Sequence, residues 1–108
     1  MSLPLTWSLL LVAALLEVGG DAIVRKGLND RLLAVVMAGC VVLGLYGVVV
    51  NTVKWDFSKL LGVYVVVFAV VSVLVGKYVF RDSVPLTTWA GLALIVAGGL
   101  VIQFGSQS

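Results

Sequence analysis

The sequence predicts an all-α membrane protein with four transmembrane helices, on the strength of three observations. The 108 residues are 62% hydrophobic and 11% charged, against about 25% charged in an average soluble domain. Mean hydropathy is +1.23. The apolar residues gather in four stretches, 3–24, 32–53, 60–80 and 86–104, each near the roughly 20 helical residues that cross a hydrocarbon core of about 30 Å. The linkers between them are short. The chain therefore reads as a single four-helix transmembrane domain over 1–108, with its chemistry inside the bilayer.

The first stretch contains the run Leu9–Leu16. No Lys or Arg precedes that run, and Glu17-Val-Gly-Gly-Asp21-Ala does not match the small-residue site of a cleaved signal peptide. It is expected to stay as a span. The segment Gly27-Leu28-Asn29-Asp30-Arg31 separates it from the second stretch, with Asp30 as the expected N-cap of helix two. Lys54-Trp55-Asp56-Phe57-Ser58 separates the second from the third. Arg81-Asp82-Ser83-Val84-Pro85 separates the third from the fourth, and Pro85 suits the first turn of the last helix. Valine runs such as Val65-Val66-Val67 favour strand in water. In lipid every backbone group needs an internal partner, and continuous apolar runs without in–out alternation then indicate helix, not barrel strand.

Trp7, Trp55 and Trp89 fall near the expected span ends, where indole anchors at the interface. With both termini on one side, loops one and three share Arg25, Lys26, Arg31, Lys77 and Arg81, and the middle loop carries Lys54 and Lys59. The positive-inside rule then favours outside termini, by a margin small enough to leave insertion in both orientations open. The basic residues flank the spans and form no patch, so no nucleic-acid partner is expected. Histidine is absent and Cys40 is the lone cysteine, so clustered ligands for zinc or iron–sulfur are lacking and no metal or cofactor is expected. No Ser–base constellation or phosphate-binding glycine loop suggests an enzyme.

Glu17 is the most informative residue. An ionised acid at membrane depth costs several kcal/mol and is kept where it faces a cavity or a partner. An apolar surround favours the neutral form. Such an acid can hold a proton and exchange it for a cation, which is the simplest basis of proton-coupled antiport. A structural ion pair is the plainer alternative. Asp21 lies one turn later on the same face, and Arg25 one turn beyond that in the favourable acid-to-base order. Asp21 is therefore either a vestibule acid or the partner of Arg25. Tyr46 in helix two and Tyr64 in helix three can stack on a cation and hydrogen-bond a carboxylate, or simply pack. Lys59, at the start of helix three, is a snorkelling lysine, a gate or a counter-charge. Gly39, Gly44 and Gly47 mark one side of helix two, and Gly91 and Gly98 share a face of helix four one heptad apart. Glycines allow close helix approach. Four short helices enclose little space, so a dimer (an eight-helix assembly) is expected, with the site between subunits.

These features together resemble the small multidrug resistance transporters of the drug/metabolite transporter superfamily. The resemblance rests on four short helices in about a hundred residues, on Leu15-Leu16-Glu17-Val18-Gly19-Gly20 in helix one, and on the stretch from Phe80-Arg81-Asp82 through Gly91 to Gly98-Gly99. The YnfA-like branch is similar at Glu17-Val-Gly19-Gly20, at Leu45-Tyr46-Gly47, and at Phe57-Ser-Lys59 followed by Tyr64. The resemblance implies a homodimer, often antiparallel, in the plasma (inner) membrane of a bacterium or archaeon. It implies that two copies of Glu17 take protons and small organic cations in turn, that Tyr64 lines an aromatic wall, and that Gly91 and Gly98 lie on the dimer helix. Val65-Val66-Val67 stands where the family pattern has bending glycines, leaving Gly62 and Gly76 as bending points, and Asp21 is additional to that pattern. Two other functional classes compete. One is a half-size or accessory subunit of a lipid-carrier or metabolite flippase. The other is a small dual-topology ion channel, which an acid in the path of an anion argues against.

Overall fold

The computed structural model describes residues 2–105. It contains four helices, α1 Leu3–Asn29, α2 Leu33–Val50, α3 Phe57–Tyr78 and α4 Leu86–Gly105. All four are long and apolar enough to cross a membrane. The protein is thus all-helical and an integral membrane protein by the length and composition of its helices. The chain divides into two compact units, one up to Lys54 and the other from Trp55 onward. Each is a helical hairpin and is described by itself.

In the first hairpin, Ser2 caps α1: its hydroxyl accepts from the Leu5 N–H at 3.3 Å. The Thr6 hydroxyl donates to the Ser2 carbonyl at 3.0 Å, and Ser8 to the Pro4 carbonyl at 2.8 Å. Short polar side chains thus satisfy themselves locally in an apolar helix. α1 runs five residues beyond the expected end at 24. Its 27 residues span about 40 Å at 1.5 Å per residue, more than the hydrocarbon core. The surplus carries Arg25 and Lys26, and Lys26 pairs with Asp30 at 3.4 Å.

Asp30 is the C-cap of α1 and not the N-cap of α2, a position held by Leu32 without a side-chain cap. The cause is a Schellman ending. The Leu32 N–H reaches back to the Gly27 carbonyl at 2.9 Å and the Arg31 N–H to Leu28 at 3.4 Å. Arg31 takes the left-handed conformation this requires, with φ 55°. α2 stops at Val50, three residues before the expected 53. Asn51 Nδ2 donates to the Gly47 carbonyl and Thr52 Oγ1 to Val49, both at 2.7 Å, capping carbonyls that further helical turns would have used.

Small residues set the distance between α1 and α2. A Cβ on Gly20 would come within 2.8 Å of the Leu43 side chain. One on Gly39 would meet Val24 Cγ2 at 2.6 Å and the Val24 backbone nitrogen at 2.8 Å. One on Gly27 would meet the Val36 backbone nitrogen at 2.7 Å. The three pairs define a single antiparallel register. Gly44 and Gly47 meet nothing within 4 Å, so the glycines of α2 do not share one packed side. At 100° per residue, Gly44 points about 140° away from Gly39.

In the second hairpin, α3 begins at Phe57, three residues before the expected 60. Asp56 occupies the N-cap position, and its carbonyl accepts from Leu60 at 2.8 Å. Lys77 lies in the last turn, and the helix ends at Tyr78. The Asp82 N–H returns to the Gly76 carbonyl at 2.8 Å while Arg81 adopts φ 58°. Pro85 immediately precedes α4, and its carbonyl accepts from Thr88 at 3.0 Å. A Cβ on Gly62 would meet Ile102 at 2.7 Å, and one on Gly99 would overlap Val66. These contacts hold α3 and α4 antiparallel. The rest of α4 carries Leu86, Leu94 and Val101, which nothing in this hairpin covers.

Candidate functional site

Glu17 stands near the middle of α1, about 21 Å along the axis from Leu3 and 18 Å from Asn29 at 1.5 Å per residue. It lies on a stripe of three- and four-residue steps through Thr6, Leu10, Ala13, Gly20, Val24 and Gly27. Leu10 and Ala13 on that stripe are fully buried. The register that pairs Val24 with Gly39 and Gly20 with Leu43, carried on by one turn, sets Glu17 opposite Tyr46. The electrostatics agree, since Tyr46 lies within the field of both Glu17 and Asp21. Glu17 and Tyr46 are half-buried, and both are engaged by neighbouring groups. The first hairpin therefore brings together three of the sequence-expected residues: two carboxylates one turn apart and a phenol across from them.

Asp21 is exposed and makes no ion pair with Arg25; the salt bridge of this helix lies further on, between Lys26 and Asp30. Pairing along the helix goes to the residues beside the Schellman turn, where the backbone is already held. Asp21 keeps its carboxylate near Tyr46, an acid with no local cation tied to it.

The other sequence-expected residues belong to the second hairpin. Tyr64 is buried in α3 at 4% exposure, its ring 6.3 Å from that of Phe68 and tilted by 32°. An aromatic pair at that separation is a stable packing unit. Lys59 places its ammonium 4.6 Å above the Trp55 ring, a cation–π contact that holds it at the start of α3. Gly91 and Gly98 meet no atom within 4 Å. The glycine of α4 that packs within the hairpin is Gly99, one residue away and about 100° round the helix.

Sequence reading passed over several of these features. Thr6 is 2% exposed, and the stripe from Leu10 to Gly27 was the signal that could have found it. Gly20, not Gly19, is the packing member of the Gly19-Gly20 pair. Gln103 Oε1 is buried with no hydrogen-bond partner, and a single polar residue among Leu, Val, Ile and Phe was its only trace in the sequence.

A carboxylate at mid-helix depth facing a phenol can accept a proton, or a cation in its place. The phenol can donate to the carboxylate or present its ring to the cation, and Asp21 adds a second negative site toward the helix end. Comparison with protein-family models, with curated proteins and with solved structures finds no match for this chain.

Proposed function

We propose that the protein is a proton-coupled antiporter that exports small or lipophilic organic cations, of the quaternary ammonium or guanidinium type, by exchange at Glu17. The observation that carries this is Glu17 at mid-helix on the α2-facing stripe, with Tyr46 opposite and Asp21 one turn away. An acid at that depth is expensive unless it is used. One carboxylate that takes either a proton or a cation couples the two fluxes by competition. In this reading the transporter is a homodimer in a bacterial or archaeal plasma membrane, with Gly91 and Gly98 on the open face of α4 as the contact. The sequence resemblance to small multidrug resistance transporters supports the same reading.

The test is proton release. Purified protein in weakly buffered detergent receives a lipophilic cation such as tetraphenylphosphonium, and released protons are counted. The native chain is expected to release them, and Glu17→Gln to release none while keeping its helicity. Tyr46→Phe should weaken cation binding without abolishing release. No release from folded native protein, across several cations and pH values, would overturn the exchange mechanism.

A second reading, a half-size subunit of a lipid-carrier or metabolite flippase, draws on the uneven charge. If the four helices cross in alternation with both termini on one side, loops one and three carry Arg25, Lys26, Arg31, Lys77 and Arg81, against Lys54 and Lys59 in the middle loop. It requires a partner of complementary topology and is favoured if the chain co-purifies with one.

A further inference from the structure

The second hairpin carries two adjoining cavities on its surface. One, of about 250 Å³, lies at the α3–α4 turn and is lined by Ser72, Gly76, Asp82, Ser83 and Thr88 among others. The other, of about 420 Å³, runs between the two helices past Val65, Phe68, Gly91, Leu92 and Ile95. They share Ser72, Val73 and Thr88, so they form one groove. Its turn end is polar and carries a carboxylate. The rest is apolar and continues from Ser72 to Val65, about 10 Å along α3 at 1.5 Å per residue. Gly91 keeps the floor open, since no atom lies within 4 Å of where its Cβ would stand.

The polar end selects a particular head group. Asp82 is exposed and forms no ion pair among the described residues, and its Oδ2 lies 2.9 Å from the Cβ position of Gly76. Ser72 donates its hydroxyl hydrogen to the Ala69 carbonyl at 2.9 Å, which leaves its oxygen free to accept. Thr88 and Ser83 add further hydroxyl oxygens. A cluster of acceptors beside a carboxylate suits a cation with several N–H donors. It does not suit a quaternary ammonium, which has none and relies on aromatic faces. The aromatic face at this end is already taken, because Lys77 holds its ammonium 5.3 Å from the centre of the Trp89 ring. Lys77, held beside Trp89, offers a positive charge for an adjacent phosphate.

We infer that the α3–α4 groove binds a bilayer phospholipid whose head group carries a primary ammonium, of the ethanolamine type. The ammonium sits at Asp82, Ser83, Ser72 and Thr88, and one acyl chain lies along Phe68, Gly91, Leu92 and Ile95. The site is confined to the second hairpin and separate from Glu17; because it uses the open face at Gly91 that the proposed dimer contact also uses, a lipid here and a second copy packed at Gly91 exclude one another. It would anchor this hairpin to one leaflet and make its packing depend on lipid composition.

The test uses Trp89 as the reporter. A Trp7→Phe/Trp55→Phe chain, which keeps Trp89, is reconstituted into phosphocholine vesicles. Lipids brominated on the chain and bearing an ethanolamine, choline or glycerol head are then added at equal fractions. Quenching of Trp89 is expected to favour the ethanolamine lipid over the choline lipid by about two- to fivefold, the lower part of the range that one net hydrogen bond supplies, because both head groups carry the same positive charge and differ in N–H donors. Asp82→Asn should bring that ratio close to one. Ala69→Leu, which fills the apolar part of the groove without touching Gly91, should reduce quenching by all three lipids while helicity is retained. Equal quenching by the three lipids in the reporter chain would overturn the site, as would a preference that Asp82→Asn leaves unchanged. If the double variant fails to fold, native mass spectrometry of the unaltered chain and of Asp82→Asn decides the matter by the lipid each retains from an equimolar mixture. Preferential retention of the ethanolamine lipid by the unaltered chain alone supports the site. Equal retention by both refutes it.

Discussion

Replacing Gly39 by alanine tests whether close backbone approach sets the α1–α2 register. The added Cβ would stand 2.6 Å from Val24 Cγ2, 2.8 Å from the Val24 nitrogen and 3.0 Å from the Gly20 carbonyl oxygen. The first atom can rotate away, although a β-branched side chain in a helix has one strongly preferred rotamer. The other two are backbone and move only if the helices part. Overpacking of this kind costs about 1–3 kcal/mol, partly offset by the 0.5–1 kcal/mol or so that alanine gains over glycine inside a helix. Gly44→Ala provides the control, because it has the same chemistry in the same helix and nothing lies within 4 Å of its Cβ. The difference between the two variants cancels the propensity term and isolates the clash. Gly39→Ala should therefore be about 1–3 kcal/mol less stable than Gly44→Ala in denaturant titration of the protein in micelles, followed by circular dichroism. Two turns from Gly39 along α2 is Tyr46, so parting the helices should also draw Tyr46 from Glu17 and weaken cation binding. Equal stability of the two variants would refute the reasoning, because it would mean that the helices are not held at glycine-limited distance.

Further outcomes follow from the same geometry. Gly99→Ala, whose Cβ would overlap Val66, should fall about 1–3 kcal/mol below Gly98→Ala, which meets open space; thermal unfolding of the pair decides it, and similar midpoints would count against the α3–α4 packing described. Arg31 holds φ 55° without being glycine, so Arg31→Gly should gain up to about 1 kcal/mol from relief of left-handed strain, net of glycine's greater unfolded-state entropy. A loss of stability in that variant would show that the Arg31 side chain does more than close the turn. Gln103→Met removes a buried acceptor without a partner and should raise stability by about 1 kcal/mol, read as an upward shift of the unfolding midpoint. No shift would mean that the amide oxygen is satisfied in the membrane.

The existence of four apolar helices was legible because the bilayer is a demanding solvent. Continuous apolar runs of about twenty residues have few alternatives once every backbone group needs a partner. The position of Glu17 inside an apolar span was legible for the same reason, since a carboxylate in such a run stands out against its cost. Helix ends were less legible. They depend on local hydrogen bonds that hydropathy does not register. Asn51 and Thr52 stop α2 early by bonding the Gly47 and Val49 carbonyls, and a Schellman turn at Gly27 makes Asp30 an end and not a beginning.

Which glycines matter was decided by tertiary structure alone. Gly20 and Gly39 face the opposing helix while Gly19 and Gly44 do not, and Gly99 packs while Gly98 is open. Composition is identical within each pair, and only the rotation of each helix about its axis separates them. The same rotation sets Tyr46 opposite Glu17 and leaves Asp21 unpaired with Arg25. The sequence by itself determined the solvent, the number of helices and the depth of the acid, because these follow from transfer energies of segments taken one at a time. The partners of each side chain followed from the register between helices, which is set by close packing of surfaces and has no single-residue signature.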